Sequence, residues 1–498
     1  MLICPAARIF DAAAVADLME DFDRTDPAAF RKALVGQLLQ ARKAGMATIA
    51  EALRARPLEA EAAKRSYTWL TDELVLSAWR AATEYLHPLS NPTDGERLAL
   101  IAVGGYGRGE MAPYSDVDLL FLTPYKITSW AESVIESMLY ILWDLRLKVG
   151  HSSRTIRDCI RLGGEDFTIR TALLEHRLLA GDAALAADLS RRLNNDLFKG
   201  SEREFVEAKL EERDTRHEKQ GGQRYMVEPN VKEGKGGLRD LQSLYWIAKY
   251  VHHVAHSSEL VRLGVFEPEE YEGFVKAETF LWATRCHLHL VSGRPQEQLT
   301  FDLQVEVAAA MGYQDTGGRR AVEHFMQDFF LHATEVGDLT RIFLTALEAD
   351  HTKGPALLER IFTRKTKVKT GYTVTHGRLA IADEAAFLSD KLNMLRLFEE
   401  ALRTGLLIHP DARLPEGLGE IDQHSALKLL GGRRKLNAML LKAATATADF
   451  YIENSCTDGV PAWDTGAPQL HRLGNYLAKR SNPRNASSGE ASCPRPRT

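Results

Sequence analysis

The stretch LALIAVGGYGRGEMAPYSDVDLLFL, Leu98 to Leu122, limits the possible folds more than any other part of the chain. An apolar run, Leu98 to Val103, reads as a strand entering a glycine-dense turn. A second apolar run follows with Asp116 and Asp118 at its head. Residues two apart in a strand face the same side, so the two carboxylates stand together. Adjacent anions are costly to bury unless a cation neutralises them. Two oxygen ligands at this spacing suit Mg2+ shared with substrate phosphates.

Other phosphate loops fail on the same residues. Gly104, four residues and Gly109 would begin a Walker A loop, but Glu110 stands where Lys is required. A dinucleotide fingerprint from Gly105 and Gly107 would need a third glycine at the Glu110 position. What remains is a Gly-Gly turn followed by Asp-x-Asp between hydrophobic residues. This resembles the nucleotidyltransferase superfamily typified by DNA polymerase beta, whose glycine turn holds nucleotide phosphates while the Asp pair holds metal. The plainer reading is a tight hairpin with a solvated acidic edge. Gly104, Gly105, Arg108 and Ser115, all in place, weigh against it.

At 498 residues the chain has room for roughly two to four domains. The net charge of -5 argues against a polymerase that grips nucleic acid by bulk charge, so no nucleic-acid partner is expected. No segment is long and apolar enough to span a bilayer, and no membrane partner is expected either. Cys4, Cys159, Cys286, Cys456 and Cys493 are scattered without a CxxC pair. They point to a reducing cytoplasm rather than a disulfide framework or zinc ribbon.

Residues 1–90 read as helices. Phe30, Ala33, Leu34, Gln37, Leu38 and Leu39 form one stripe, and Tyr67, Leu70, Leu74, Leu76 and Trp79 another. After the Asp pair, Ser129 to Leu147 has helical spacing, and VGHSSRT (Val149 to Thr155) reads as a short strand or turn. Two-metal phosphoryl transfer commonly uses a third carboxylate. Glu175, in LLEHRLLAGD, is the candidate, with Asp144 behind it; a structural ion pair with Arg177 or Arg170 is the competing role for Glu175. KLEERDTRHEKQ reads as an exposed helix of mixed charge.

A second informative stretch is EPNVKEGKGGLRDLQ, Glu228 to Gln242. Its glycines break regular structure, and Lys232, Lys235 and Arg239 are spaced to surround an anion. Helical spacing resumes at Leu238. A glycine turn at a helix N-terminus offers N–H groups to a phosphate or charged partner, although most such loops are only loops. From Ala277 to Leu347 the pattern is helical throughout. His287 and His289, and the trio His252, His253 and His256, read as structural or solvated because no acidic ligand accompanies them at a regular offset.

These stretches together resemble the bifunctional PII uridylyltransferase/uridylyl-removing enzymes of bacterial nitrogen control. The segments GGYGRGE through SDVDLL, VGHSSRT, PNVKEGKGGLRDLQ, RCHLHLVSGRPQEQLTFDLQ (Arg285 to Gln304) and HFMQDFFLHATEVGDLTRIF (His324 to Phe343) occur in the family's order, over roughly residues 20–410. The resemblance implies transfer of UMP from UTP to a tyrosine of the PII signal protein, with release of pyrophosphate. It further implies triphosphate binding at Gly104 and Gly105, with Ser115 beside them, and Mg2+ at Asp116 and Asp118. Arg108 and Lys232 would stabilise the leaving pyrophosphate.

The expected fold is α+β: a polymerase-beta-type nucleotidyltransferase domain with a mixed sheet (91–182), N-terminal helices (1–90) and a following helical domain (183–350). A truncated or diverged region (351–442) and an unrelated-looking tail (443–498) come after. No His-Asp dipeptide occurs, so the family's metal-dependent HD hydrolase domain is not expected, nor the uridylyl-removing activity and glutamine sensing of its later domains. Ala443 to Tyr476 resembles a fragment of an unsaturated glucuronyl hydrolase, and Arg480 to Thr498 has the composition of a disordered end. Two alternatives to a PII uridylyltransferase stand: a remnant that binds nucleotide or PII without turnover, and a transferase using another nucleotide or acceptor.

Overall fold

Asp26 starts the first long helix, α1 (Pro27–Ala55), by accepting a hydrogen bond from the Ala29 N–H at 3.0 Å, with Pro27 at the first helical position. Its buried stripe is Phe30, Leu34, Leu38, Ile49 and Leu53, while Ala33 faces out. Helix α2 (Ala60–Arg80) is buried nearly all round. Lys64, Ser66, Thr68 and Thr71 are enclosed along with Tyr67, Leu70 and Leu74. A helix without a solvent face is a central one. It packs against α1, the sheet and the later helices.

The structure is a computed structural model. It describes residues 1–350 apart from 21–25, 92, 222–225 and 255–256, then 369–383 apart from 376–377, and a few isolated positions up to 400. The mixed sheet is made of β1 (Ala99–Ala102), β2 (Val117–Thr123), β3 (Val149–Thr155) and β4 (Arg177–Gly181), in the order β3-β2-β1-β4. β1 pairs antiparallel with β2 and with β4, and β2 runs parallel to β3. β1 is buried throughout, and β2 nearly so, which explains their unbroken apolar runs.

Helix α3 (Ser129–Asp144) bridges β2 and β3 and buries Val134, Met138, Ile141 and Leu142. It stops three residues before Leu147, because Arg146 turns left-handed at φ 57° and redirects the chain into β3. Helices α4 (Ile156–Glu165), α5 (Phe167–Leu174), α6 (Ala183–Arg192) and α7 (Glu202–Lys219) follow. A core of Ile101, Leu120, Leu122, Leu173, Leu189 and Phe205 joins the sheet to Trp246 and Tyr250 of α8 (Leu238–His252). The sheet and the helices that follow it, as far as α8, therefore share one hydrophobic core.

The stretch from 277 to 347 is not one run of helix. It comprises most of α9 (Pro268–Ser292), then α10 (Phe301–Ala310) and α11 (Ala321–Asp350), with breaks at 293–300 and 311–320. In the first break Val231 N–H donates to the Glu297 carbonyl and Leu299 N–H to the Pro229 carbonyl. That loop is thereby tied to the glycine-rich loop before α8. Met1–Ala346 forms one compact unit, and Leu347–Thr498 clusters separately. In the latter, the strands Tyr372–Thr375 and Arg378–Ile381 pair antiparallel. The tail readings from 443 onward, like His256, lie outside the described residues.

Candidate active site

β1 ends in a single helical turn, Gly104–Gly107, whose first residue has φ 60°, a conformation that glycine adopts without strain. The N–H groups of Gly104, Gly105 and Tyr106 at its start have no intrahelical acceptor, whereas Gly107 N–H donates to the Val103 carbonyl at 3.1 Å. The next strand brings the acidic pair to the same place. Asp116 immediately precedes β2 and Asp118 is its second residue. Asp118 Oδ2 would lie 3.6 Å from a Cβ at Gly104, and Oδ1 only 2.5 Å from one at Gly150, the residue opposite it on β3. Any larger residue at 150 would collide with the carboxylate.

Electrostatics mark the pair as under-neutralised. Burial first, and then the neighbouring Asp116, push the Asp118 carboxyl above its ordinary range, while Lys148 and Lys232 pull it back. Lys148 Nζ lies 2.9 Å from Asp116 Oδ2. This lysine is 79% exposed at its side chain, so it is a weak counterion that can swing away. Sequence reading passed over it. The signal lies in the parallel register: Val117 N–H donates to the Lys148 carbonyl, which sets Lys148 beside Asp116.

The loop from Glu228 to Gln242 is knotted by its own polar groups. Asn230 Oδ1 accepts from the N–H groups of Lys232 and Glu233, at 3.1 and 2.7 Å. Buried Asp240 accepts from Gly236 N–H at 2.8 Å and pairs with Arg216 and His217. Lys232 is thus fixed within electrostatic reach of Asp118. Burial holds its ammonium below the usual lysine range, helped by Arg285 and Arg239. The three expected anion-binding cations separate here. Arg239 is held by Glu233 at 3.0 Å, and Lys235 lines a different cavity of about 290 Å3, beside Asn230 and Gln298.

Arg285 and His289 of α9 also reach this region. Arg285 grips Glu297 at 2.6 Å. Burial alone would raise the Glu297 carboxyl, but His289 and Arg285 hold it down at about 2. The His289 ring is fully enclosed, 3.5 Å from Glu297 and 6.3 Å from the Tyr114 ring, centre to centre. His287 has a structural role, its Nε2 3.1 Å from the Pro57 carbonyl.

Glu175, Arg108 and Asp144 are placed differently from the sequence expectation. Glu175 is buried, with one oxygen 2.9 Å from Arg108 and the other 3.0 Å from Lys249. Two cations already saturate it, so it is not the third carboxylate of the Asp pair. Its partners are also not Arg177, which binds Asp72, or Arg170, which binds Glu204. Arg108 is enclosed between Glu175 and Glu110, at 2.9 and 2.5 Å, and is not offered to a phosphate. Asp144 pairs with Arg31 at the surface. The Ser115 hydroxyl accepts from Ala112 N–H at 2.9 Å, closing the turn that presents Asp116.

Among the described residues no three His, Cys, Asp or Glu side chains gather to hold a metal. The residues nevertheless fit Mg2+. Two adjacent carboxylates, of which Asp118 is pushed above its ordinary range, and one loose counterion suit a hard cation that takes its other oxygens from phosphate and water.

The sheet and the glycine turn are those of a nucleotidyltransferase domain. A family model described as a nucleotidyltransferase domain matches residues 91–178, the segment that carries the sheet, the glycine turn and the Asp pair. Nucleotidyltransferases generally use divalent metal ions. A second model, described as GlnD PII-uridylyltransferase, matches residues 204–344, from α7 to α11. The chain is similar to part of the bifunctional uridylyltransferase/uridylyl-removing enzymes. It is 67% identical over 406 residues to the member from Ruegeria pomeroyi, covering 82% of this chain and 44% of that protein. Identity to the Cereibacter sphaeroides protein is 61%, over 82% of this chain and 45% of the relative. For Phenylobacterium zucineum the figures are 52%, 70% and 38%. The chain thus spans less than half the length of these relatives. No helix among the described residues is long and apolar enough to cross a membrane.

Proposed function

We propose that this chain transfers UMP from UTP to a tyrosine hydroxyl of the PII signal protein in the cytoplasm, releasing pyrophosphate, with Mg2+ at Asp116 and Asp118. The observation that carries the reading is the under-neutralised Asp pair set against the Gly104–Gly107 turn, within a chain similar to uridylyltransferases on both sides of it.

The tyrosine oxygen forms a bond to the α-phosphorus of UTP as the bond to the bridging β-phosphate oxygen breaks. The phenolic proton passes to solvent and the electron pair leaves on pyrophosphate. When bound, Mg2+ supplies charge neutralisation across the phosphates. The protein's part is placement and charge. Gly104 and Gly105 admit the phosphates close to backbone N–H groups, and Ser115 holds the turn that presents Asp116. Lys232, fixed by its knotted loop, opposes negative charge growing on the leaving group.

The test is to incubate the full chain with Mg2+, α-labelled UTP and the PII protein of the same organism, with ATP in a parallel arm. Label on PII from UTP alone supports the reading. Label from ATP alone, or none from either nucleotide, overturns it.

A further inference from the structure

A cavity of about 210 Å3 lies behind the turn that presents Asp116, between that turn, α1, α2 and the residues entering β3. Ser115 and Asp116 line it, whereas Gly104, Gly105, Asp118 and Lys232 do not. It therefore touches the metal-binding pair from a side other than the glycine turn, where the triphosphate is placed. In-line transfer requires attacking and leaving oxygens on opposite sides of phosphorus, both near the metal. A cavity that reaches Asp116 but not the phosphate turn lies where the acceptor belongs.

Its size and lining restrict the occupant. Pockets for whole drug-sized ligands run to roughly 300–1,000 Å3, so this space suits one side chain better than a nucleotide. Met46, Leu70, Leu74 and Met111 give apolar walls, as a ring requires. Three cations, Arg42, Arg146 and Lys148, stand in the lining against the single carboxylate Asp116. Half-buried Arg42 makes no ion pair or hydrogen bond among the described residues, so its charge is uncompensated. Arg146 is held in the left-handed region at φ 57°, a strained state for a non-glycine residue and one that recurs at functional sites.

We propose that this cavity receives the acceptor's tyrosine ring, with Arg42 and Arg146 engaging acidic residues that flank that tyrosine in the acceptor protein. The inference rests on the transferase reading above and adds to it the acceptor's subsite and the charge of its docking segment. Lys148 and Arg146 then lie on the side from which the phenol approaches, where positive charge favours loss of its proton.

The test uses two variants of the full chain, Arg42→Glu and Met46→Trp, one reversing the uncompensated charge and the other filling the space. Each is assayed for transfer to PII, for direct UTP binding and for thermal unfolding. The expected result is a KM for PII raised tenfold or more in both, with UTP affinity within twofold of wild type and an unchanged unfolding midpoint. A wild-type KM for PII in both variants, beside an active wild type, overturns the subsite and leaves the transferase reading standing. A wild type that labels no PII overturns the transferase reading, and the subsite falls with it.

Discussion

Two pairs of carboxylates sit within the nucleotidyltransferase fold, and they are used in opposite ways. Glu110 and Glu175 share the buried guanidinium of Arg108, and each has a further lysine, Lys64 at 3.3 Å and Lys249 at 3.0 Å. Burial would raise the Glu110 carboxyl, yet Arg108 and Lys64 hold it down at about 2. Among the described residues, Asp116 and Asp118 have only exposed Lys148 in contact and Lys232 at longer range, and the Asp118 carboxyl is pushed up. The first pair is closed and cross-links α2, the glycine turn and α8. The second is left needing a cation. The proposed metal site is thus set apart from the structural pair by incomplete neutralisation near the surface, not by carboxylates alone.

The sharpest way to break this contrast is to open the closed pair. Glu175→Ala leaves Arg108 and Lys249 short of a partner in a buried site, which should cost about 3–5 kcal/mol of stability, read by chemical denaturation. An unfolding free energy within 1 kcal/mol of wild type would show that the network is not structural. Removing charge from the open pair should act on chemistry instead. Asp116→Asn or Asp118→Asn is expected to lower transfer on the order of 100-fold or more, with the unfolding midpoint preserved or raised, since repulsion is relieved.

A smaller effect comes from Glu278 of α9, beside the closed network. Burial first, then Glu110 and Glu61, raise its carboxyl to about 7 against the pull of Lys64. Its folded pKa thus exceeds its ordinary 4.5, so the folded state keeps a proton that the unfolded chain has lost. The resulting stabilisation is full below 4.5 and disappears as pH rises through 7. Glu278→Gln should flatten that part of the stability profile, measured by denaturation at pH 5, 6, 7 and 8. An equal slope in both proteins would exclude this carboxyl as its source. Least of all, Lys148→Ala at the exposed edge should change stability by less than about 0.5 kcal/mol.

The same contrast explains what was legible in the sequence. Asp116, Asp118 and the glycine turn are neighbours along the chain, so a period of two and a run of glycines were enough to bring them together and to place the strands around them. Lys232 was visible for the same reason, in a loop that its own residues fold. Glu175 was misread because its local sequence resembles that of a catalytic acid. Its fate is decided by Arg108 and Lys249, which lie 67 and 74 positions away. Lys148, 32 positions from Asp116, became visible only once β3 was paired parallel with β2. The helical reading of 277–347 overlooked the breaks because apolar spacing continues on both sides, while the loop at 293–300 is held by backbone bonds to a distant segment.

The most direct test of the account is the rise in unfolding midpoint on adding Mg2+ and UTP, measured for wild type, for Asp116→Asn/Asp118→Asn and for Glu175→Gln. The expected result is a clear rise in wild type, none in the double variant, and a lower starting midpoint with the rise retained in Glu175→Gln. A double variant that keeps the full rise, or a Glu175→Gln variant that loses it without a drop in starting midpoint, would contradict the assignment of the open pair to metal and nucleotide and of the closed pair to the fold.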